Sequence, residues 1–154
     1  MNKKYGIMGL ILIVVLTTVT VSGCIGGDTE KFNKEFTNKV TFKGETFYLP
    51  DGFELTNKSS YYGFSAREYS DGTYGIIIGY YPLPKSKILS NMESQSEFSD
   101  FDKSVSYGGY SGFSADYRDS GYVYKYFVFE KGGKTFVIGL TGLDLDKVVP
   151  KVIG

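Results

Sequence analysis

The hydrophobic pattern divides the chain in two. Residues 7–21 are almost unbroken Ile, Leu, Val, Met and Gly, with Thr17, Thr18 and Thr20 as the polar exceptions. Beyond that run, apolar residues come in short stretches separated by turn residues, the mark of strands rather than long helices. Residues 40–42 and 46–49 read as two short strands around Lys43-Gly44-Glu45. Pro50-Asp51-Gly52 is a turn, because Pro presets φ and Gly accepts φ > 0, and residues 53–55 follow as a short strand. Residues 61–69 and 73–81 pair across Asp71-Gly72, a strong hairpin signal. The Ile76-Ile77-Ile78 triplet predicts a central strand covered on both faces, ended by Pro82 and Pro84.

Residues 85–101 give the main helix candidate, with Ile88 and Met92 on one face and the polar run 94–102 as a loop or fraying end. Strands at 104–107 and 110–118 flank Gly108-Gly109. The clearest hairpin joins 121–130 to 134–140 across Gly132-Gly133. In that register Lys131 faces Lys134, Phe129 pairs with Phe136, and Phe127 with Ile138, so those four apolar side chains share a core face. Tyr122, Tyr124, Tyr126, Val128 and Val137 fall on the other face. Residues 144–153 read as a terminal helix that Pro150 interrupts or bends. The fold class is therefore α+β: a mainly antiparallel sheet of six to eight strands with one central and one C-terminal helix, preceded by an N-terminal apolar signal or anchor helix.

The N-terminal segment carries the most specific chemistry. Asn2, Lys3 and Lys4 form a basic start, the apolar run follows, and small residues lead to Cys24; these are the parts of a secretory signal. Val21-Ser22-Gly23-Cys24 resembles the lipobox of prokaryotic lipoproteins, with Val21 where Leu is commoner. The resemblance implies cleavage before Cys24 and lipid attachment at its sulfur. Cys24 is the only cysteine, so no disulfide can form within the chain, and acylation accounts for a lone exported thiol. An uncleaved transmembrane helix and a cleaved, released protein are the alternatives. All three place the rest of the chain outside the cytoplasm, since Lys3 and Lys4 favour a cytoplasmic N-terminus. The expected organisation is a signal peptide over 1–23, a flexible tether over 24–38 and one domain over 39–154.

Composition narrows the chemistry. Of 17 basic and 17 acidic residues, Lys3 and Lys4 leave with the signal, so the mature chain holds 15 against 17. That balance gives no case for nucleic acid as a partner and no polybasic run for anionic lipid. The chain has no His, which removes the Ser-His triad, the Cys-His pair and the imidazole base; with the one Cys expected to carry lipid, the usual zinc and copper ligands are missing too. No cofactor, no metal and no catalytic residue are expected. Gly132-Gly133-Lys134-Thr135 looks like the tail of a P-loop, but the position of its first Gly is Val128 and the loop joins two strands.

Fourteen Tyr and twelve Phe suit half-buried sheet surfaces. Tyr122, Tyr124 and Tyr126 are the candidate ligand-stacking stripe, for a sugar ring or a peptide; the competing expectation is that a helix covers them. Asp116, Asp119 and Glu68 are the carboxylates a hydrolase would need, against the plainer reading of solvated turn acids. Asp100 with Asp102 and Asp144 with Asp146 are weak calcium candidates without the spacing of a calcium loop. Asn57-Lys58-Ser59 is a glycosylation sequon in an expected exposed loop. Gly63-Phe64-Ser65-Ala66 recurs as Gly112-Phe113-Ser114-Ala115, through a duplicated hairpin or by chance.

Phe47-Tyr48-Leu49-Pro50-Asp51-Gly52-Phe53 and the hairpin 126–138 are similar to parts of PsbP-like domains, with Phe53 where that family has Trp. The resemblance implies a non-enzymatic accessory or assembly factor. The function expected is a lipid-anchored binding or accessory protein on the outer face of the cell membrane, its partners the membrane itself and a membrane or cell-surface protein. A sugar- or peptide-binding surface module and a carboxylate-based hydrolase are the alternatives.

Overall fold

The computed structural model describes residues 32–154; the signal segment, with Val21, Ser22, Gly23 and Cys24, lies outside the described residues. Nine strands and two helices follow in order: β1 (Asn38–Phe42), β2 (Glu45–Leu49), β3 (Glu54–Tyr61), β4 (Phe64–Ser70), β5 (Gly75–Tyr81), α1 (Lys85–Glu93), β6 (Phe98–Tyr107), β7 (Tyr110–Asp119), β8 (Tyr122–Lys131), β9 (Lys134–Thr141) and α2 (Leu145–Ile153). The main sheet is antiparallel with seven strands in the order β3-β4-β5-β9-β8-β7-β6, and β1 pairs only with β2. Two meanders, β3 to β5 and β6 to β9, thus meet at the β5–β9 seam. Neither described helix is long and apolar enough to cross a membrane.

Local turn chemistry sets the hairpins. Lys43-Gly44, Tyr62-Gly63, Gly108-Gly109, Ser120-Gly121 and Gly132-Gly133 each hold both residues at positive φ. That is the type I′ signature, whose twist matches the strands it joins. The β8–β9 register is the expected one: Lys131 opposes Lys134, Phe129 opposes Phe136 and Phe127 opposes Ile138.

Each face of the sheet has its own core. On one face Ile76, Ile78, Phe127, Phe129, Phe136 and Ile138 lie under α2 and the β1–β2 hairpin, which supply Val148, Val149, Val152, Phe42, Phe47 and Leu49. The Phe127 and Phe129 rings stack at 5.1 Å, and Phe47 meets Phe136 edge-on at 5.2 Å. On the other face Ile77, Phe113, Tyr124, Tyr126, Val128 and Val137 lie under α1 through Ile88 and Met92. All three isoleucines of the 76–78 triplet are buried, as a strand covered on both sides requires. Lys131 closes the first face. Its ammonium donates to Thr46 O and Ile153 O, each at 2.9 Å, joining β8 to β2 and to the C-terminal end of α2. That placement also complements the negative end of the helix dipole.

Four expectations change. The segment 61–69 is cut by the Tyr62-Gly63 turn, and β3 extends back through the polar residues 56–60, which an edge strand tolerates because one side faces water. Helix α1 ends at Glu93, and β6 starts at Phe98, inside the expected loop. Two bulges in β6 let Phe98 and Phe101 serve the α1 face while Val105 and Tyr107 serve the other. That change of face hides the period of two. Pro150 lies within α2 without ending it.

The fourth concerns the tether. Residues 32–37, expected to be flexible, are docked on the domain. The Phe32 ring packs edge-on against Tyr74 at 5.1 Å, Phe53 at 6.1 Å and Phe36 at 6.2 Å. Lys34 pairs with Asp71 at 2.9 Å, and Asp51 N donates to Glu35 O at 2.8 Å. Burial alone would raise the Asp71 carboxyl, but the Tyr74 and Thr73 amides and Lys34 outweigh it and hold it below its ordinary value. The domain's packing therefore begins by Phe32, seven residues before Lys39. Phe32→Ala in the full-length chain is expected to lower unfolding free energy by about 2 kcal/mol, read by urea titration in mild detergent; an unchanged midpoint would mean the docked segment adds nothing.

Candidate functional site

The tyrosine stripe divides on folding. Tyr122 is 42% exposed, while Tyr124 and Tyr126 are 8% and 1% exposed and belong to the core under α1. Tyr124 and Tyr126 therefore cannot offer a stacking face: the helix covers them, as the competing expectation held. The Tyr126 ring lies against Gly139, where a Cβ would approach it to 2.6 Å. Only a glycine at 139 leaves room for that ring. Strand alternation placed these residues on one face correctly, but it carries no information on which face a helix will cross.

The carboxylates do not converge. Glu68 on β4 faces α1's side of the sheet, while Asp116 on β7 faces the other, with β5, β9 and β8 between them. Four strand spacings are about 19 Å, far beyond the separation of a glycosidase pair. Arg118 lies 3.8 Å from Asp116 and 3.3 Å from Asp100. Asp144 has Lys125 and Lys147 beside it. Among the described residues no three carboxylates or other ligating side chains form a metal-binding group. Asn57 lies in β3, not in an exposed loop, and its amide hydrogen-bonds Glu68.

An open groove runs along the β3–β4 edge beneath the β1–β2 turn, with a volume of about 460 Å3, within the range of small-molecule sites. Phe42, Lys43, Lys58, Ser60, Ser65 and Arg67 line it. Lys58 and Arg67 are directly opposed across the β3–β4 ladder. The Arg67 guanidinium donates to Thr41 O at 3.0 Å and lies over the Phe42 ring at 4.9 Å. The Lys43 ammonium lies over the Tyr80 ring at 5.4 Å. Among the described residues none of the three cations is paired with a carboxylate. The nearest acid in the turn, Glu45, is turned away against Gly132 and lies 4.0 Å from Lys134. The sequence hides this cluster because its members are 9 to 24 positions apart and three strands bring them together.

The α1 side of the sheet contains one internal polar feature. Asn57, Glu68, Ile77, Gly139 and Tyr126 form a single lateral row across five strands. Glu68 Oε2 and the Tyr126 hydroxyl are both buried without a hydrogen-bond partner among the described residues. Burial pushes the Glu68 carboxyl up to about 7, against the pull of Asn57. Burial raises the Tyr126 hydroxyl too, with Tyr124, Tyr117 and Glu68 adding to it. Folded Glu68 keeps its proton between pH 4.5 and 7, where the unfolded chain releases it. Its contribution is whole below pH 4.5 and lost as pH rises through 7. Unfolding free energy should thus fall by about 1–3 kcal/mol over that interval. Glu68→Gln should flatten the dependence and be the more stable form at pH 8; parallel urea-midpoint profiles would contradict this.

No protein-family model matches the chain, and no curated protein matches it by sequence. Among solved structures it is similar to PA94 of Pseudomonas aeruginosa, a protein of unknown function, at 12% identity over 73% of this chain and 85% of that one, with a TM-score of 0.34. It is also similar to LpqN of Mycobacterium tuberculosis, involved in cell envelope biogenesis, at 18% identity over 68% and 76%, with a TM-score of 0.28. Likeness at this level carries no conclusion about function.

Proposed function

We propose that this chain is an extracytoplasmic protein held on the outer face of the cell membrane by lipid on Cys24, and that its domain acts by binding, as a non-catalytic accessory factor. The carrying observation is Val21-Ser22-Gly23-Cys24 at the end of a 15-residue apolar run. The absence of His and the divergence of Glu68 from Asp116 support a binding role over hydrolysis. The accessory reading draws on the two segments that resemble PsbP-like domains; in the folded chain they pack together, Phe47 of the first against Phe136 of the second. A ligand-binding surface module is favoured by the β3–β4 groove rather than by the tyrosine stripe.

The test is metabolic labelling with a radioactive fatty acid in a prokaryotic host. The wild-type chain is expected to carry label and sediment with membranes. Cys24→Ala is expected to lose the label, since a single residue supplies the only thiol. An unlabelled wild-type chain overturns the lipid anchor.

A further inference from the structure

The β3–β4 groove holds three cations that pair with no carboxylate among the described residues. Lys58 and Arg67 are cross-strand partners, and like charges in that arrangement repel. The fold tolerates this repulsion where the same neighbours with one charge removed would relieve it. Lys43 adds a second local cost. It occupies the first position of a type I′ turn at φ 53°, where Asn or Gly is the relaxed choice. Two of the three are nonetheless held in place. Arg67 is fixed by the Thr41 carbonyl and the Phe42 ring, and Lys43 by the Tyr80 ring. Ser60 and Ser65, the cross-strand pair two positions along the ladder, line the same groove. Fixed guanidinium and ammonium donors beside hydroxyls match the oxygens of a phosphate or carboxylate.

We infer that this groove is a binding site for a soluble oligoanion, a ligand carrying at least two phosphate or carboxylate groups. The source of the ligand follows from charge, and its setting outside the cell rests on the lipid-anchor reading. Three cations fall short of the cluster of about four to eight basic residues that holds a protein to anionic lipid, and without Lys3 and Lys4 the chain carries 15 basic against 17 acidic residues. The ligand is therefore taken from the aqueous side rather than as a bilayer headgroup.

The experiment uses full-length protein in a neutral detergent, with inorganic tripolyphosphate, citrate and phosphatidylglycerol vesicles as probes, read by calorimetry and by backbone amide shifts. Tripolyphosphate or citrate is expected to bind, to shift the amides of β3 and β4, and to weaken as salt is raised. Lys58→Gln is expected to bind roughly tenfold more weakly and to unfold at a higher denaturant concentration, because it removes a repulsion. Lys43→Asn is expected to bind less and unfold later for the same kind of reason. Lys87→Gln, an exposed change on α1, should match wild type. No binding, equal binding by Lys58→Gln and wild type, or shifts away from β3 and β4 overturns the site. Binding to vesicles but to neither soluble anion overturns the aqueous source. Fatty-acid labelling of the wild-type chain separates the two readings: a labelled chain that binds no anion refutes the groove alone, and an unlabelled chain that binds refutes the anchor alone.

Discussion

A sheet with two apolar faces cannot stand in water until both are covered, and that constraint arranges everything else in this domain. Phe127, Phe129, Phe136 and Ile138 make one face too aromatic to leave open, while Tyr124, Tyr126, Val128 and Val137 make the other nearly so. The chain meets the demand with two covers from different places: the β1–β2 hairpin and α2 on one side, α1 on the other. Lys131 fastens the first cover by giving its protons to carbonyls from both of its pieces. Its ammonium is held beside the Phe47 and Tyr110 rings, and burial there lowers its affinity for a proton.

The same constraint explains what could and could not be read in the residues. The β8–β9 hairpin was legible because a two-glycine turn fixes its register and the alternation is strict. The Ile76-Ile77-Ile78 strand was legible because three adjacent β-branched residues leave no exposed side. β3 was not, since an edge strand with one wet flank spells itself in Thr, Asn, Lys and Ser. The start of β6 was missed because two bulges move its apolar residues from one face to the other. The docking of Phe32 and Phe36 was missed because two aromatics among charges show no period, and only the pocket formed by Phe53 and Tyr74 gives them a place.

Site chemistry was legible to a smaller degree. Absent residue types are visible in any sequence, and the missing His limits what the domain can catalyse. Spatial clusters are another matter. Tyr122, Tyr124 and Tyr126 look alike along β8, yet the crossing of α1 leaves only Tyr122 substantially exposed. Lys43, Lys58 and Arg67 look like scattered surface charges until β1, β3 and β4 bring them to one groove. Glu68 looks like a strand acid until Ile77, Gly139 and Tyr126 are seen in its row.

The order of the strands has a kinetic consequence. Every pairing in the two meanders joins neighbours along the chain, whereas the β5–β9 seam joins Gly75 to Thr141 and Tyr81 to Thr135. Loop-closure entropy is concentrated in that single long-range step. For a polypeptide delivered N-terminus first, the first meander must wait with its β5 edge unpaired until the last strand emerges. The three isoleucines at its centre are the stretch a holdase would have to shield in the interval.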